Sequence, residues 1–263
     1  MGTHILQTFA YLNKLFDVDL FLTYSRNCFE NPSIKEEELK KLMDSVPELV
    51  RTKELYRKDL LPEQIEELAI RYEKRMADSF RGKLNESKKV VYNLGLVMLC
   101  TIVEMFLDHL LLTIFNANPE TLLSLSNEKN IALKQFLRFK TYEEVLQDFK
   151  NKYLNHFNRQ GIEIKLQDFQ KLGIKLEKIF SWIRFDGGVQ KRLAGSDQNT
   201  LVEVFNKRHL IVHNNLYPIE YLDEILIVKD FFEKIIINFS IVTFEKFKKY
   251  GVMLDEPAIV GIA

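Results

Sequence analysis

The stretch that decides the fold is VVYNLGLVMLCTIVEMFLDHLLLTIF, residues 90–115. Its apolar residues recur around most of the helical circumference and never alternate for long with a period of two, which predicts a long helix buried on several sides. Glu104, Asp108 and His109 interrupt this run. Because a membrane span needs about 18 uncharged residues, we interpret the segment as the core helix of a bundle and expect no membrane partner.

A second apolar segment, residues 225–247, lies close to the C-terminus. Its middle is apolar nearly all the way round, which demands burial on more than one side, in a bundle core or across a subunit interface. Helical periodicity runs through most of the chain, and ten Gly and six Pro provide few turns. These features together predict an all-α fold.

Charge and cysteine content limit the kinds of partner and compartment. The 37 basic and 37 acidic side chains cancel, so no global field draws the chain to nucleic acid, and any RNA contact must be local. Cys28 and Cys100 are the only cysteines, which argues against a disulfide framework. The first residues lack a basic leader followed by an apolar core, so we expect a cytoplasmic protein.

The sequence divides into three regions on composition. Arg81, Gly82 and Lys83 mark the expected boundary between a helical region of unknown role, residues 1–82, and a helical bundle, residues 83–249. Residues 250–263 have no periodicity and are expected to form a tail. The role of the first region, as a sensor, a target-recognition arm or extra bundle helices, stays open.

Smaller elements of the bundle follow from local patterns. The long helix is expected to start at an N-cap, Asn85 or Ser87, and to end at the turn after residue 115. Further helices are predicted at residues 119–127, 141–158 and 166–185. A glycine-containing loop is expected over residues 185–199, and the helix that begins at residue 199 carries the motif below.

The candidate chemistry lies in KRHLIVHNN, residues 207–215, since Gly-rich phosphate loops, paired CxxC motifs and HExxH are absent. His209 and His213 stand four residues apart on a predicted helix, a spacing that can bind zinc. No further ligand stands at a matching position nearby, so we predict no metal and no cofactor.

The spacing of Arg208 and His213, with four residues between them, resembles the RX4-6H motif of the HEPN superfamily. The resemblance covers residues 85–248 and rests on the apolar helix, the motif RHLIVHNN and the closing helix over residues 225–247. It implies a HEPN-like antiparallel helical bundle with additional N-terminal helices. It also implies a metal-independent endoribonuclease acting as a toxin or antiphage-defence effector, with room for an antitoxin or defence-system partner protein.

Arg208 and His213 suit metal-free RNA cleavage. Histidine titrates near neutral pH and can exchange a proton with the ribose 2′-OH or the leaving 5′ oxygen, while arginine holds the phosphate as charge builds. The products would be a 2′,3′-cyclic phosphate and a 5′-OH. One histidine cannot be base and acid on opposite sides of the phosphorus at once, so the resemblance to a dimeric family implies a homodimer.

Supporting roles are expected for three more residues. His209 could orient Arg208 or be a surface histidine. Asn214 could hold the ring of His213 or a phosphate, or act only in a helix cap or turn. Glu104 needs a partner in its apolar surroundings, and Arg208 is the candidate, although helical phase could equally turn Glu104 outward.

RNA contacts are expected at basic and aromatic positions near the motif: Lys207, Lys191, Arg192 and Tyr217. The subgroup of the family with a modified tyrosine two residues after the histidine is not matched, because position 215 is Asn. A rival hypothesis is a catalytically inactive HEPN-like module that mediates dimerisation, binds a nucleotide or serves as an adaptor.

Overall fold

The protein is described here by a computed structural model over residues 3–41, 44, 62–125, 139–181 and 198–255. These residues are mostly helical, which confirms the all-α prediction. The helices are α1 (Thr8–Glu30), α2 (Pro62–Ala117), α3 (Glu120–Leu125), α4 (Tyr142–Phe157), α5 (Ile162–Lys171), α6 (Leu176–Ser181), α7 (Gln198–Asn214) and α8 (Leu222–Phe247), and residues 32–41 are helical as well. Two short strands, β1 (His4–Leu6) and β2 (Val252–Leu254), and a 3₁₀ turn at Lys248–Tyr250 complete the described elements.

Helix α2 is the centre of the bundle, and α1 packs antiparallel along its C-terminal half. The ring of Tyr11 meets that of Phe106 edge to face at a centroid distance of 5.5 Å, and Lys88 pairs with Glu30 at 2.7 Å near the other end of α1. Gly95 allows the close approach between them, because a Cβ there would stand 2.7 Å from a methyl group of Leu22. The missing side chain at Gly95 therefore lets Leu22 of α1 pack close to the backbone of α2.

Helix α8 is enclosed by the rest of the chain, which explains its apolar circumference. Thr8 donates to Ser240 at 2.8 Å on the α1 side, and Asn238 donates to the carbonyl of Ile179 in α6 at 2.8 Å. Phe232 lies against Phe205 of α7 at a ring distance of 6.2 Å. Because the bundle core buries α8, its composition no longer indicates a subunit interface.

The structure differs from the sequence-based boundary at Arg81, Gly82 and Lys83. Helix α2 includes Pro62 and runs through all three residues. It therefore does not begin at Asn85 or Ser87. One glycine costs a helix about 1 kcal/mol, which the helix-forming residues on both sides offset. Helix α1 also contributes to the same hydrophobic core as α2 and α8, so this helix is part of the bundle.

The two ends of the described chain meet, which the absence of periodicity in the tail did not predict. β1 and β2 pair in parallel, with His4 opposite Val252. The amide of Phe9, in the first turn of α1, donates to Asp255 at 2.7 Å, so a carboxylate stands at the positive end of that helix. Residues 256–263 lie outside the described residues.

One predicted helix is divided in two. Residues 166–185 were expected to form a single amphipathic helix, but the backbone turns at Gly173, whose φ of 74° is left-handed, and separates α5 from α6. Glycine reaches this conformation without the steric cost of a Cβ. Trp182 and the predicted loop over residues 185–199 fall almost wholly outside the described part, which resumes at Gln198.

By length and composition, Ile70–Ala117 within α2 also suits a membrane span. Of its most apolar window, 56% is buried inside the protein. A bundle core helix shows the same pattern, since its apolar residues must pack on several neighbours. The absence of a membrane partner and the cytoplasmic location therefore stay predictions.

Candidate functional site

The motif lies in the C-terminal half of α7, which runs antiparallel to α2. Leu201, Val204 and Phe205 bury one face of α7 in the core. At about 100° per residue, the five-residue spacing turns His213 roughly 140° away from Arg208 around the helix. Accordingly Arg208 is half-buried toward α2, whereas His213 is exposed near the end of the helix. One chain thus presents the two residues on different faces of α7.

Arg208 pairs with Glu104 of α2. A terminal guanidinium nitrogen, Nη2, lies 3.3 Å from Glu104 Oε2, and the two side chains are 30% and 23% exposed. Nε of Arg208 is buried and has no hydrogen-bond acceptor among the described residues. Glu104 therefore faces the motif and does not turn outward. It contacts one edge of the guanidinium, and arginine has further N–H donors on the same group.

Cys100 lies one helical turn before Glu104 and is fully buried. Burial raises the pKa of its thiol far above the ordinary value, Arg208 opposes that rise and Glu104 adds to it. The thiol therefore stays protonated and is not a nucleophile at neutral pH.

His209 and His213 lie side by side on the exposed face of α7. Their ring centroids are 4.4 Å apart, and the ring planes are tilted by 41°. This is the contact expected of residues four apart on a helix. The structure thus brings the two imidazoles together at the end of the helix, while Arg208 is held by α2.

The turn after the motif is made by Asn215. Asn215 adopts a left-handed backbone with φ of 52° directly after Asn214, the last residue of α7, and asparagine tolerates this conformation better than most residues. Its side-chain oxygen accepts from the hydroxyl of Tyr217 at 3.0 Å, and the amide of Leu216 donates to the carbonyl of Leu210 at 3.2 Å. Asn214 itself is exposed, and among the described residues it does not hold the ring of His213.

Asn93 of α2 fixes the chain that follows the motif, a role that sequence reasoning missed. Its side chain is fully buried, donates to the carbonyl of Ile219 at 2.9 Å and accepts from the amide of Ile219 at 3.1 Å. Next to it, Lys89 pairs with Glu220 at 3.4 Å. The segment leaving α7 is therefore clamped to α2 at the level of residues 89–93. The sequence does contain a signal for this role, because Asn93 is a polar residue inside the otherwise apolar run YNLGLV.

An exposed apolar row on α2 flanks the Arg208–Glu104 pair. We call Leu94, Met98, Thr101 and Met105 the α2 stripe, because their spacing of four, three and four residues puts them on one helix face. Leu94, Met98 and Met105 are 50%, 44% and 45% exposed. Additional exposed apolar side chains stand at the end of α7 and just after it: Val212, Leu216 and Tyr217. Unpartnered apolar surface of this kind is typical of interaction sites.

The predicted RNA-contact residues are placed only in part. Lys207 is exposed next to Arg208, and Tyr217 is exposed after the helix. Lys191 and Arg192 lie outside the described residues. Over residues 3–41, 62–125, 139–181 and 198–255, no group of three or more His, Cys, Asp or Glu side chains could hold a metal ion.

In chemical terms, the site offers one anchored guanidinium and two exposed imidazoles at the end of a helix. Such groups can bind an anion and exchange protons near neutral pH. No protein-family model, curated protein or solved structure matches this chain.

Proposed function

We propose that the protein is a metal-independent endoribonuclease of the HEPN type, acting as a toxin or antiphage-defence effector. Arg208 binds the scissile phosphate and His213 transfers protons. The products are a 2′,3′-cyclic phosphate and a 5′-OH. The observation that carries the proposal is the pairing of Arg208 with Glu104, while His213 is exposed on another face of the same helix.

The Arg208–Glu104 pair supports anion binding in two ways. A carboxylate at 3.3 Å restricts the guanidinium, so less rotamer entropy is lost when the phosphate binds. Arginine has five N–H donors, and the single close contact with Glu104 leaves donors for phosphate oxygens.

A homodimer completes the proposed site, because one His213 cannot serve both faces of the phosphorus. The α2 stripe follows the spacing with which two helices pack along a seam, and it lies beside Glu104 on the same helix. In a two-fold dimer this surface meets itself, so two copies of the motif approach the same cleft. We therefore propose that the α2 stripe is the surface that binds the second copy of the chain.

RNA cleavage in EDTA tests this proposal. The wild type, Arg208→Ala and His213→Ala are incubated with RNA, and the ends are analysed for cyclic phosphate and 5′-OH. Loss of a proton-transferring group should slow cleavage by about 10²–10⁴-fold. Arg71→Ala is the matched control, since Arg71 also pairs with a glutamate, Glu67 at 2.7 Å, on the exposed part of α2.

Equal cleavage by all variants would show a contaminating nuclease and overturn the proposal. No cleavage by the wild type would favour the rival function, a catalytically inactive module that binds a protein partner. The observation behind that rival is the apolar outer face of α1, where Phe9, Phe16, Leu20 and Tyr24 are exposed at helical spacing.

A further inference from the structure

We propose that His209 and His213 form a two-ligand binding site for divalent transition-metal ions that prefer imidazole, such as Ni²⁺ and Zn²⁺. The two residues stand one turn apart on α7, and both side chains are exposed. The sequence alone disfavoured a metal because no third ligand stood nearby. The observed arrangement of the rings supports a site that needs only these two protein ligands.

The ring separation fits chelation of a single ion. A metal bound at about 2.0–2.1 Å from an imidazole nitrogen lies roughly 3.2 Å from the ring centroid. Two such rings, at an angle of 90–109° about the metal, have centroids about 4.5–5.2 Å apart. The observed centroid separation of 4.4 Å is only slightly shorter than this range. A small rotation of the two side chains would therefore let both rings bind the same ion.

The surroundings leave both imidazoles available. Among the described residues, neither ring has a hydrogen-bond partner. The nearest arginine in sequence, Arg208, is paired with Glu104, which reduces its repulsion of a cation. Water would fill the remaining coordination positions, because the described residues offer no third ligand. We expect weaker binding than at structural zinc sites, which use four protein ligands.

Metal binding would control the proposed ribonuclease, and this consequence rests on the proposed function. A bound metal occupies the nitrogen lone pair that His213 needs for proton transfer. Cleavage should therefore stop when the site is loaded and return when EDTA removes the ion. In this interpretation the metal is a reversible inhibitor of a metal-independent reaction.

Calorimetric titration of the tag-free protein with Ni²⁺ tests the site itself. Ni²⁺ suits imidazole, whereas Zn²⁺ could also engage the partly exposed thiol of Cys28. The wild type should bind one ion per chain, and His209→Ala or His213→Ala should each weaken binding by at least about tenfold. His156→Ala removes another exposed histidine, on α4, and should bind like the wild type.

Circular dichroism checks that the variants are folded, and His209→Gln provides a second variant that keeps a polar side chain. The site is disproved if the wild type does not bind Ni²⁺ or if His209→Ala binds as tightly as the wild type. RNA cleavage with saturating Ni²⁺ tests the consequence separately. Binding without inhibition would overturn the control of cleavage, and binding by a protein that never cleaves RNA would overturn only the proposed function.

Discussion

Arg208 Nη2 lies 3.3 Å from Oε2 of Glu104, on a different helix and more than 100 positions away in the chain. The pair connects α7 to α2 where the motif begins. Both side chains are partly exposed, so solvent screens the attraction and its contribution to stability is small. Its value lies in fixing the direction of the guanidinium.

Glu104→Gln should slow RNA cleavage without unfolding the protein. Glutamine has nearly the same shape but no charge, so the guanidinium would be less restricted and the turnover number should fall by up to about 100-fold. Steady-state kinetics of the variant separate kcat from KM, and loss confined to KM would contradict a positioning role in the reaction. Adding Glu104→Gln to Arg208→Ala should cost nothing further, because the partner is already gone.

Met98→Glu should dissociate the proposed homodimer. An unpaired carboxylate buried in the α2 stripe would be costly, and we expect the dimer Kd to rise by at least about 100-fold, measured by sedimentation. Cleavage should fall in parallel. Met76→Glu is the matched control, because Met76 lies on the same helix, is 38% exposed and stands about 33 Å away along the axis.

A dimer that survives Met98→Glu and Met105→Glu alike would remove the α2 stripe from the interface. A wild-type protein that sediments as a monomer but cleaves RNA would instead require one chain to supply both proton transfers. The first result would move the interface to another surface, and only the second would replace the two-copy site.

Gly82→Ala tests the continuity of α2. Apart from its chain neighbours and the adjacent backbone of its own helix, nothing lies within 4 Å of the position that the new Cβ would occupy. Alanine is favoured over glycine inside a helix by about 1 kcal/mol. Hydrogen exchange of amides around residue 82 should therefore become slower in the variant. Unchanged exchange would indicate a break here, as the sequence-based boundary predicted.

The sequence carried enough information for the helical class but not for the boundaries. Apolar side chains all around residues 225–247 correctly demanded burial on more than one side, and α8 meets that demand inside the bundle. Local sequence could not show that α2 passes through Gly82, because a single glycine weakens a helix without ending it. The β1–β2 pair joins residues near opposite ends of the chain, and three-residue strands carry no detectable periodicity.

The candidate site shows a similar division. The cost of burying a charge suggested Arg208 as a partner for Glu104, and the structure places them in contact. The same argument applied to Asn93 would have revealed a second polar residue that needs partners within α2. No spacing rule could identify the partner of Asn93. That partner is the backbone of Ile219, and its position depends on the turn that Asn215 makes.

We expect His109 to make the free energy of unfolding depend on pH. It is partly buried on α2, 6.0 Å from the ring of Tyr11, and its Nε2 has no partner among the described residues. Burial lowers its pKa from the ordinary value of 6.5, a hydrogen bond with the backbone of Ile5 opposes the shift, and the charge of Lys14 adds to it. The folded state therefore favours neutral His109.

The sign of the effect follows from proton binding. Above pH 6.5 His109 is mostly neutral in both states and contributes no pH dependence, but below it the unfolded chain binds the proton first. The free energy of unfolding should therefore decrease as pH falls from 6.5 toward the lower pKa of the folded state. Urea unfolding of His109→Gln should show a shallower decrease in this window, whereas His156→Gln, at an exposed position, should follow the wild type. Parallel curves for all three proteins would place the acid sensitivity at other groups.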